Sequence, residues 1–466
     1  MAKQRVRISV WVWVALAAGL ALRLYFVMAS PRLSGDTLLY GDIAKNLIER
    51  HVYGFTVTGG APRPTLIRVP GYPLFLAACF EVFGAERYQP VLYLQILFDL
   101  LSCALVGDLA RRLFGARAGM MALWLAVLCP FTANYVGAAL TETLSLLCVT
   151  AAFYGMVRWS ESGLGFNRWL WVIAGAVAYA VLLRPEQGLL AAAVVPGMGW
   201  MAWRALRLKG LVPVVVAAVC VVLPLVPWAM RNERTFHVFQ PLAPRFANDP
   251  GERVPRGFQR WYRTWAIEYT STENVYWNYD GDDINIADMP NRAFDSEEEY
   301  DRVEALLKKY NADDRATMQL DAGFERLAEE RVAADPVRYY LTLPVARVLN
   351  MLLRPRTELM GNGLEWWKYG VYRGQTVFAV FYAGLDLAYF VIAGFGLWRV
   401  RRCADAVVWS MAGYVALRCA LLLTLDNSEP RYTLEFFPIL CVWGAALLRS
   451  QEYVGRAEEE ARSNVE

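Results

Sequence analysis

Long apolar runs recur along the chain, and short polar or basic stretches separate them. About ten of these runs approach the length of roughly 20 residues that a helix needs to cross a bilayer. They lie near residues 8–28, 90–109, 118–134, 142–158, 169–184, 187–204, 211–229, 375–398, 405–424 and 432–448. The pattern predicts an all-α polytopic membrane protein, a bundle of about ten transmembrane helices with helical loops outside the membrane.

The first run follows a basic segment, Met1–Arg7. At about 20 residues, it is longer than the apolar core of a secretory signal peptide. We therefore predict a retained membrane helix rather than a cleaved leader.

The charged residues orient the predicted helices. Basic clusters occupy four short loops, at 111–117, 158–168, 204–209 and 399–402. Short basic loops stay on the cytoplasmic side, and with the N-terminus inside all four fall there together. The intervening loops then face the periplasm. We expect the functional site to face outward.

This orientation divides the chain into four parts. A transmembrane module covers 1–230 and includes a first periplasmic loop at 30–89. A large periplasmic insertion follows at 231–374, then transmembrane helices at 375–448 and a cytoplasmic tail at 449–466.

Helices are predicted inside the insertion as well. A capping box, Ser296 with Glu299, opens one helix, and Asp314–Ala333 forms another. Tyr339–Leu353 reads as an amphipathic helix on the membrane surface. We expect the insertion's aromatic start to lie at the membrane–water interface (Trp261, Tyr262, Trp265, Trp277 and Tyr279).

Composition narrows the function classes. Hydrophobic residues make up 56% of the chain and charged residues 20%, a balance typical of membrane bundles. The net charge of +3 is too small to indicate a nucleic-acid partner. The two histidines and eight cysteines form no HExxH or CxxC motif, which disfavours zinc and thiol chemistry.

The first outer loop carries a candidate acid. Asp36, Tyr40 and Leu47 share one face of a predicted helix just past the first span. Two interpretations of Asp36 stay open, an ordinary helix N-cap or a catalytic acid. Asp42 points away from this face and is interpreted as a solvated or structural acid.

Two further motifs lie at outer helix ends. Arg68 precedes a rigid turn built by Pro70, Gly71 and Pro73, where it could bind either a ligand phosphate or lipid head groups. Glu142 opens a membrane helix, either to complement the helix dipole or as a second active-site carboxylate.

Arginines also cluster on the outer side, where topology alone would deplete them. They indicate an anionic ligand, with a membrane-embedded phosphate as the candidate (Arg68, Arg184, Arg231 and Arg431). Inside the spans, we expect Arg23 to pair with Asp99 and Arg418 with Asp386, because a charge in the membrane needs a partner.

These motifs resemble those of bacterial GT-C glycosyltransferases, the superfamily that includes protein O-mannosyltransferases and the aminoarabinose transferase of lipid A. Six pieces match in family order: Asp36, Tyr40, Ala44 and Leu47 at their spacing; Arg68-Val69-Pro70-Gly71-Tyr72-Pro73; Leu140-Thr141-Glu142; Arg184-Pro185; Pro227-Trp228-Ala229-Met230-Arg231-Asn232; and Pro430-Arg431-Tyr432. Together they span nearly the whole chain.

The resemblance implies a GT-C-like fold, a location in the bacterial inner membrane, a periplasmic active site and a polyprenyl-phosphate-linked sugar as donor. It makes Asp36 the catalytic base and Glu142, where several relatives have Asp, the second acid. Arg68 would bind the donor phosphate, helped by Arg231 or Arg431. Six more residues are candidates for the substrate site: Tyr40, Tyr72, Arg184, Glu186, Glu429 and Tyr432.

The predicted reaction is inverting transfer of a sugar to a periplasmic hydroxyl, with Asp36 as general base. No nucleotide motif is present, and no cofactor is required, although a divalent cation between Asp36 and Glu142 stays open. The expected partners are the lipid-linked sugar, the bilayer, and a glycan, lipid or protein acceptor.

The alternative function is a transporter or lipid flippase, which buried charge pairs would suit. The chain has no inverted repeat and no paired broken helices of the kind transporters use. A non-catalytic assembly partner is a third interpretation.

Overall fold

The computed structural model describes residues 9–29, 31, 33, 35–312, 315–361 and 363–449. The predicted basic segment Met1–Arg7 and residues 450–466 of the predicted tail lie outside this range. The helices are α1 (Val10–Ala29), α2 (Asp36–Arg50), α3 (Gly71–Phe83), α4 (Tyr88–Phe114), α5 (Ala116–Val127), α6 (Pro130–Tyr135), α7 (Glu142–Glu161), α8 (Arg168–Leu183), α9 (Gly188–Leu206), α10 (Leu208–Val222), α11 (Leu225–Phe236), α12 (Arg256–Arg263), α13 (Tyr269–Ser271), α14 (Glu297–Asn311), α15 (Met318–Ala334), α16 (Leu343–Leu353), α17 (Tyr369–Val400), α18 (Ala406–Leu422) and α19 (Phe436–Ala445).

Strands β1 (Gly54–Phe55) and β2 (Arg63–Pro64) form a small antiparallel hairpin within the described part of the chain. The first strand's Gly54 pairs with Pro64 and Phe55 with Arg63. Short 3₁₀ and π-helical turns complete the structure, at Pro185–Gln187, Thr272–Tyr276, Ile286–Asp288, Asn291–Ala293, Arg338–Thr342, Pro430–Thr433 and Ala446–Leu448.

Each predicted span coincides with a helix or with two consecutive helices. Five helical segments are long and apolar enough to cross a membrane: Val10–Ala29, Tyr88–Phe114, Pro185–Leu206, Leu208–Phe236 and Tyr369–Val400. Four more predicted spans are shorter apolar helices, α5, α8, α18 and α19. The tenth is α7. The all-α polytopic architecture is confirmed.

The chain forms two compact units. The first contains the described residues of Met1–Gly251, Ala388–Val415 and Leu434–Glu466, and the second those of Glu252–Leu387 and Ala416–Thr433. The four-part division that the sequence predicts, which rests on membrane topology, stays a prediction.

In the first unit, α4 packs against α5 and α7, α7 packs against α8, and α19 packs against α4 and α5. Small residues permit the close approach of α4 and α5. A Cβ added to Gly119 would lie 2.5 Å from the Cβ of Arg111 and 2.9 Å from the carbonyl oxygen of Gly107. Such small-residue contacts are typical of membrane helix packing.

A buried ion pair joins α1 to α4. The Nε of Arg23 donates to Asp99 Oδ2 at 2.6 Å, and the Arg23 side chain is fully buried. The guanidinium also reaches the carbonyl oxygens of Gly19 and Ala126. The predicted pairing of Arg23 with Asp99 is confirmed.

The second predicted pair is replaced by another. Asp386 accepts a hydrogen bond from Arg356 at 3.1 Å inside the second unit, and both side chains are buried. Arg418 donates to the carbonyl of Tyr432 at 2.6 Å. Hydropathy indicates which charges lie inside a span, but it does not rank their neighbours in space.

The second unit has an aromatic core. Trp261, Tyr262 and Trp265 are fully buried among residues of α12, α14 and α15. The interfacial location expected for these three aromatics is therefore wrong, because they are the core of a folded insertion. Trp277 is half exposed. The capping box is confirmed, since the backbone N–H of Glu299 donates to Ser296 Oγ at 3.1 Å.

We predict that Asp99→Ala destabilises the first unit strongly, because it leaves the buried Arg23 without its carboxylate. A broken buried pair costs about 3–5 kcal/mol, and replacing both charges by apolar groups costs much less. Thermal unfolding of the detergent-solubilised protein measures the change, with the double variant Arg23→Met, Asp99→Leu as the matched control. Wild-type stability in Asp99→Ala would contradict the assignment.

Candidate active site

Asp36 is the first residue of α2 and makes an ion pair across the first outer loop. Gly35, at a positive φ of 57°, is the N-cap residue, so the interpretation of Asp36 as the N-cap is wrong by one position. Asp36 Oδ1 accepts a hydrogen bond from Arg68 Nη2 at 2.7 Å. The sequence-predicted acid and the sequence-predicted phosphate ligand are therefore in direct contact.

The pair is sheltered but reachable. The Asp36 side chain is 18% exposed and that of Arg68 is 24% exposed. The Arg68 guanidinium also lies over the Tyr40 ring, 6.0 Å from its centre. A ligand can approach both groups while most of the surrounding water is excluded, which strengthens electrostatic contacts.

Tyr53 holds the backbone of Arg68 in place. Its hydroxyl donates to the carbonyl oxygen of Arg68 at 3.0 Å. Burial raises the pKa of the Tyr53 hydroxyl well above its usual value, with a further increase from Tyr40 and an opposing effect from Arg231 and Arg68. Tyr53 therefore keeps its proton and remains a donor.

The predicted Pro70–Gly71 turn begins α3 and is pressed against α8. A Cβ on Gly71 would lie 2.5 Å from the carbonyl oxygen of Leu182, so a side chain cannot be accommodated there. The next residue, Tyr72, is buried, stacks edge-on against Tyr40 at 5.1 Å and donates to Gln95 at 2.9 Å. The contact between Tyr40 of α2 and Tyr72 of α3 thus packs these two helices together beside the Asp36–Arg68 pair.

Glu142 is the first residue of α7 and is buried. Its Oε1 accepts from Arg184 Nη1 at 3.1 Å, and the Nε of Arg184 donates to Glu186 at 2.6 Å. The helix-dipole interpretation of Glu142 is thus incomplete, because the carboxylate also has an arginine partner. Three predicted residues are brought together here, Glu142, Arg184 and Glu186.

A hydrogen bond links the start of α2 to the segment before α7. The Thr37 hydroxyl donates to the carbonyl of Ala139 at 3.2 Å. The residues flanking this bond are the two predicted acids, Asp36 next to Thr37 and Glu142 three positions after Ala139. The same part of the first unit therefore carries both acids.

Asp42 has a structural role. Its carboxylate accepts from the backbone N–H of Thr56 at 2.8 Å and from the Thr56 hydroxyl at 2.6 Å. Asn46 donates to it at 3.2 Å. These bonds fix the hairpin to α2, as expected for a structural acid.

Arg231 donates hydrogen bonds to backbone carbonyl oxygens, and the described contacts do not pair it with Asp36 or Glu142. Its guanidinium donates to the carbonyls of Thr65 and Tyr53, each at 2.7 Å. It also lies over the rings of Tyr53, Trp228 and Phe236. Its predicted contact with a donor phosphate stays a prediction.

The remaining predicted residues cluster in the second unit. Glu429 pairs with Arg431 and accepts from the Tyr432 hydroxyl at 2.7 Å and from Asn427 at 3.1 Å. Their sequence spacing places them on one 3₁₀ turn, Pro430–Thr433, and the residues before it.

Sequence reasoning missed three polar residues of the first unit. They are Tyr53, Gln187 and Glu435, and all three are buried. A signal for Glu435 was available, since it stands at the start of an apolar run just as Glu142 does. Nothing in the local sequence distinguishes Tyr53 or Gln187 from ordinary loop residues.

The two predicted acids already have cationic partners in this structure. Asp36 and Glu142 each pair with an arginine. Across the described ranges, no group of three or more His, Cys, Asp and Glu side chains is arranged to hold a metal ion. A divalent cation between Asp36 and Glu142 stays an open alternative.

An apolar groove of about 510 Å³ runs along α9, α10 and α11. Aliphatic residues line it: Val195, Val214, Val215, Ala218, Val219, Val222, Leu223 and Val226. The last of these lies on α11, the helix that also carries Arg231. Arg231 in turn contacts Tyr53, and Tyr53 contacts Arg68.

One protein family matches the part of the chain that contains several of these residues. Residues 63–230 match the family described as dolichyl-phosphate-mannose-protein mannosyltransferase. The matched range includes Arg68, Glu142 and Arg184. Comparison with curated proteins found no match.

Two solved structures align with nearly all of this chain, and the first of them shares its fold. The oligosaccharyltransferase AglB from the archaeon Archaeoglobus fulgidus, in complex with an inhibitory peptide and a dolichol-phosphate, aligns with a TM-score of 0.51 and 12% identity over 97% of this chain and 52% of its own. ArnT from Cupriavidus metallidurans bound to undecaprenyl phosphate aligns with a TM-score of 0.40 and 16% identity over 96% of this chain and 78% of its own.

The resemblance to the GT-C superfamily is confirmed. The chain spans about half the length of the archaeal oligosaccharyltransferase that it matches. The family match covers residues 63–230, the fold is shared with the archaeal oligosaccharyltransferase, and the chain is a multi-pass membrane protein.

Proposed function

We propose that the chain transfers a sugar from a polyprenyl-phosphate donor to a hydroxyl group of a periplasmic acceptor, with inversion at the anomeric carbon. The observation that carries this proposal is the contact between Asp36 and Arg68. A carboxylate and a guanidinium in one sheltered site supply the two groups that such a transfer needs, a proton acceptor and a phosphate ligand.

In the proposed step, the acceptor hydroxyl oxygen attacks the anomeric carbon while Asp36 takes the hydroxyl proton. The bond between the anomeric carbon and the donor phosphate oxygen breaks, and the departing phosphate keeps the electron pair. Arg68 stabilises that growing negative charge. Glu142, Arg184 and Glu186 are proposed to orient the sugar or acceptor, and Arg231, Arg431, Glu429 and Tyr432 remain candidate ligands.

The Asp36–Arg68 contact is compatible with phosphate binding. A guanidinium carries five N–H donors in a planar fork, so it can bind a carboxylate and a phosphate oxygen together. A donor phosphate would also compete with Asp36 for Arg68. Donor binding would then release the carboxylate for its role as a base.

The apolar groove along α9, α10 and α11 is the proposed site of the donor's lipid tail. Its volume of about 510 Å³ lies within the roughly 300–1,000 Å³ usual for ligand pockets. Its lining is entirely apolar, as an isoprenoid chain requires. Its last lining residue, Val226, lies on α11, the helix that carries Arg231, and Arg231 and Tyr53 connect that helix to Arg68, the proposed phosphate ligand.

We predict that Asp36→Asn abolishes most sugar transfer while leaving membrane insertion intact. The asparagine can still accept a hydrogen bond from Arg68 but cannot take a proton, and a general base contributes roughly 10²–10⁴-fold. Transfer of labelled sugar from a polyprenyl-phosphate donor is the measurement. Glu49→Gln, an exposed acid on the same helix, should transfer normally. Normal turnover by Asp36→Asn would exclude the base assignment.

We predict that Arg68→Ala impairs donor use. A hydrogen bond to a charged group is worth about 1.5–3 kcal/mol, so the donor KM should rise at least tenfold. Arg68→Lys, which keeps the charge but loses the planar fork, should lie in between. Arg50→Ala removes an exposed arginine at the end of α2 and serves as the control. An unchanged donor KM in Arg68→Ala would eliminate this residue as the phosphate ligand.

We predict that Val219→Trp selectively impairs long-chain donors, because the indole fills the groove. The donor KM should rise for a full-length polyprenyl phosphate sugar and change little for a short-chain analogue. Val212→Trp, on the same helix but outside the groove lining, is the control. Equal effects on both donors would argue that the tail lies elsewhere.

A further inference from the structure

A buried polar cluster surrounds Arg184, and one of its members has no assigned role. Glu435 is fully buried and is the N-cap residue of α19. Its Oε1 accepts from Gln187 Nε2 at 2.9 Å and from Ser145 Oγ at 3.3 Å. The same oxygen lies 3.6 Å from Arg184 Nη1.

The cluster connects four separate helical segments. Glu435 belongs to the start of α19, Ser145 and Glu142 to α7, and Arg184 and Gln187 to the turn between α8 and α9. Tyr414 of α18 donates to Gln187 Oε1 at 2.8 Å. All of these residues lie in the first unit, so Glu435 fixes this corner of one compact body.

Charge explains why Glu435 matters beyond packing. Arg184 Nη1 donates to Glu142 at 3.1 Å and lies 3.6 Å from Glu435, so two buried carboxylates make ion pairs with the same nitrogen. The Nε of Arg184 donates to the carboxylate of Glu186 at 2.6 Å. The position of the guanidinium therefore depends on the balance among three acids. Without the charge of Glu435, the Arg184 guanidinium would move toward Glu142 and pair with it more closely.

We infer that Glu435 is a positioning residue for the proposed sugar transfer, acting through Arg184 on Glu142. This inference rests on the proposed function. Glu435 holds the guanidinium between two carboxylates, and Gln187 and Ser145 hold Glu435. Because Arg184 is divided between Glu142 and Glu435, it neutralises Glu142 less completely than it would in a two-residue ion pair. Glu142 also keeps a fixed orientation.

The test replaces the charge of Glu435 without changing its shape. In Glu435→Gln, the side-chain oxygen can still accept from Gln187 and Ser145. We expect kcat for sugar transfer to fall about tenfold, with the donor KM within twofold of wild type. The double variant Glu435→Gln, Gln187→Glu returns a carboxylate to the adjoining position, 2.9 Å away across the hydrogen bond, and should recover much of the lost kcat.

Glu81→Gln, an exposed acid of α3, is the matched control and should behave as wild type. Wild-type kcat in Glu435→Gln would overturn the inference. So would a loss in Glu435→Gln that the double variant does not recover, because a packing role alone predicts that result. Failure of the wild-type protein to transfer sugar would instead contradict the proposed function, and the role of Glu435 with it.

Discussion

An arginine that is wholly or partly removed from water needs carboxylates or carbonyl oxygens around it, and three such arginines organise the first unit. Arg23 takes Asp99 and backbone carbonyls within the helix bundle. Arg184 takes Glu142, Glu186 and Glu435. Arg231 takes two carbonyls and three aromatic rings. A charge buried without such partners would cost several kcal/mol, so each arginine determines which segments must lie beside it.

Only part of this arrangement could be predicted from the sequence. Apolar runs predicted the helices because membrane spanning requires length and hydropathy, both of which are local properties. The pair of Arg23 with Asp99 followed from depth alone. Asp36 and Arg68 were each identified, but their contact was not, because 32 residues and a hairpin separate them along the chain. A motif describes a residue's surroundings in sequence and does not identify its partner in space.

The mistaken expectations have the same origin. Trp261 and Trp265 have the composition of a membrane-interface belt, yet they are buried in the second unit because an insertion of that length builds its own core. Asp386 has the depth expected of a partner for Arg418, but Arg356 lies beside it. In each case tertiary packing selected one of several locally reasonable arrangements.

The fold does not determine the chemistry, because one fold supports many reactions and function resides in the site. The two arginine pairs of the site differ in a way that bears on their proposed roles. Arg68 and Asp36 are partly exposed, whereas Glu142 and Glu435 are buried around Arg184. A partly exposed pair can exchange one anion for another when a phosphate arrives, because water can solvate the intermediate arrangement. A buried cluster cannot do so cheaply, since any unpaired charge would remain in a low dielectric. The exposed pair therefore suits the group that must release and bind in every turnover, and the buried cluster suits groups that must stay fixed.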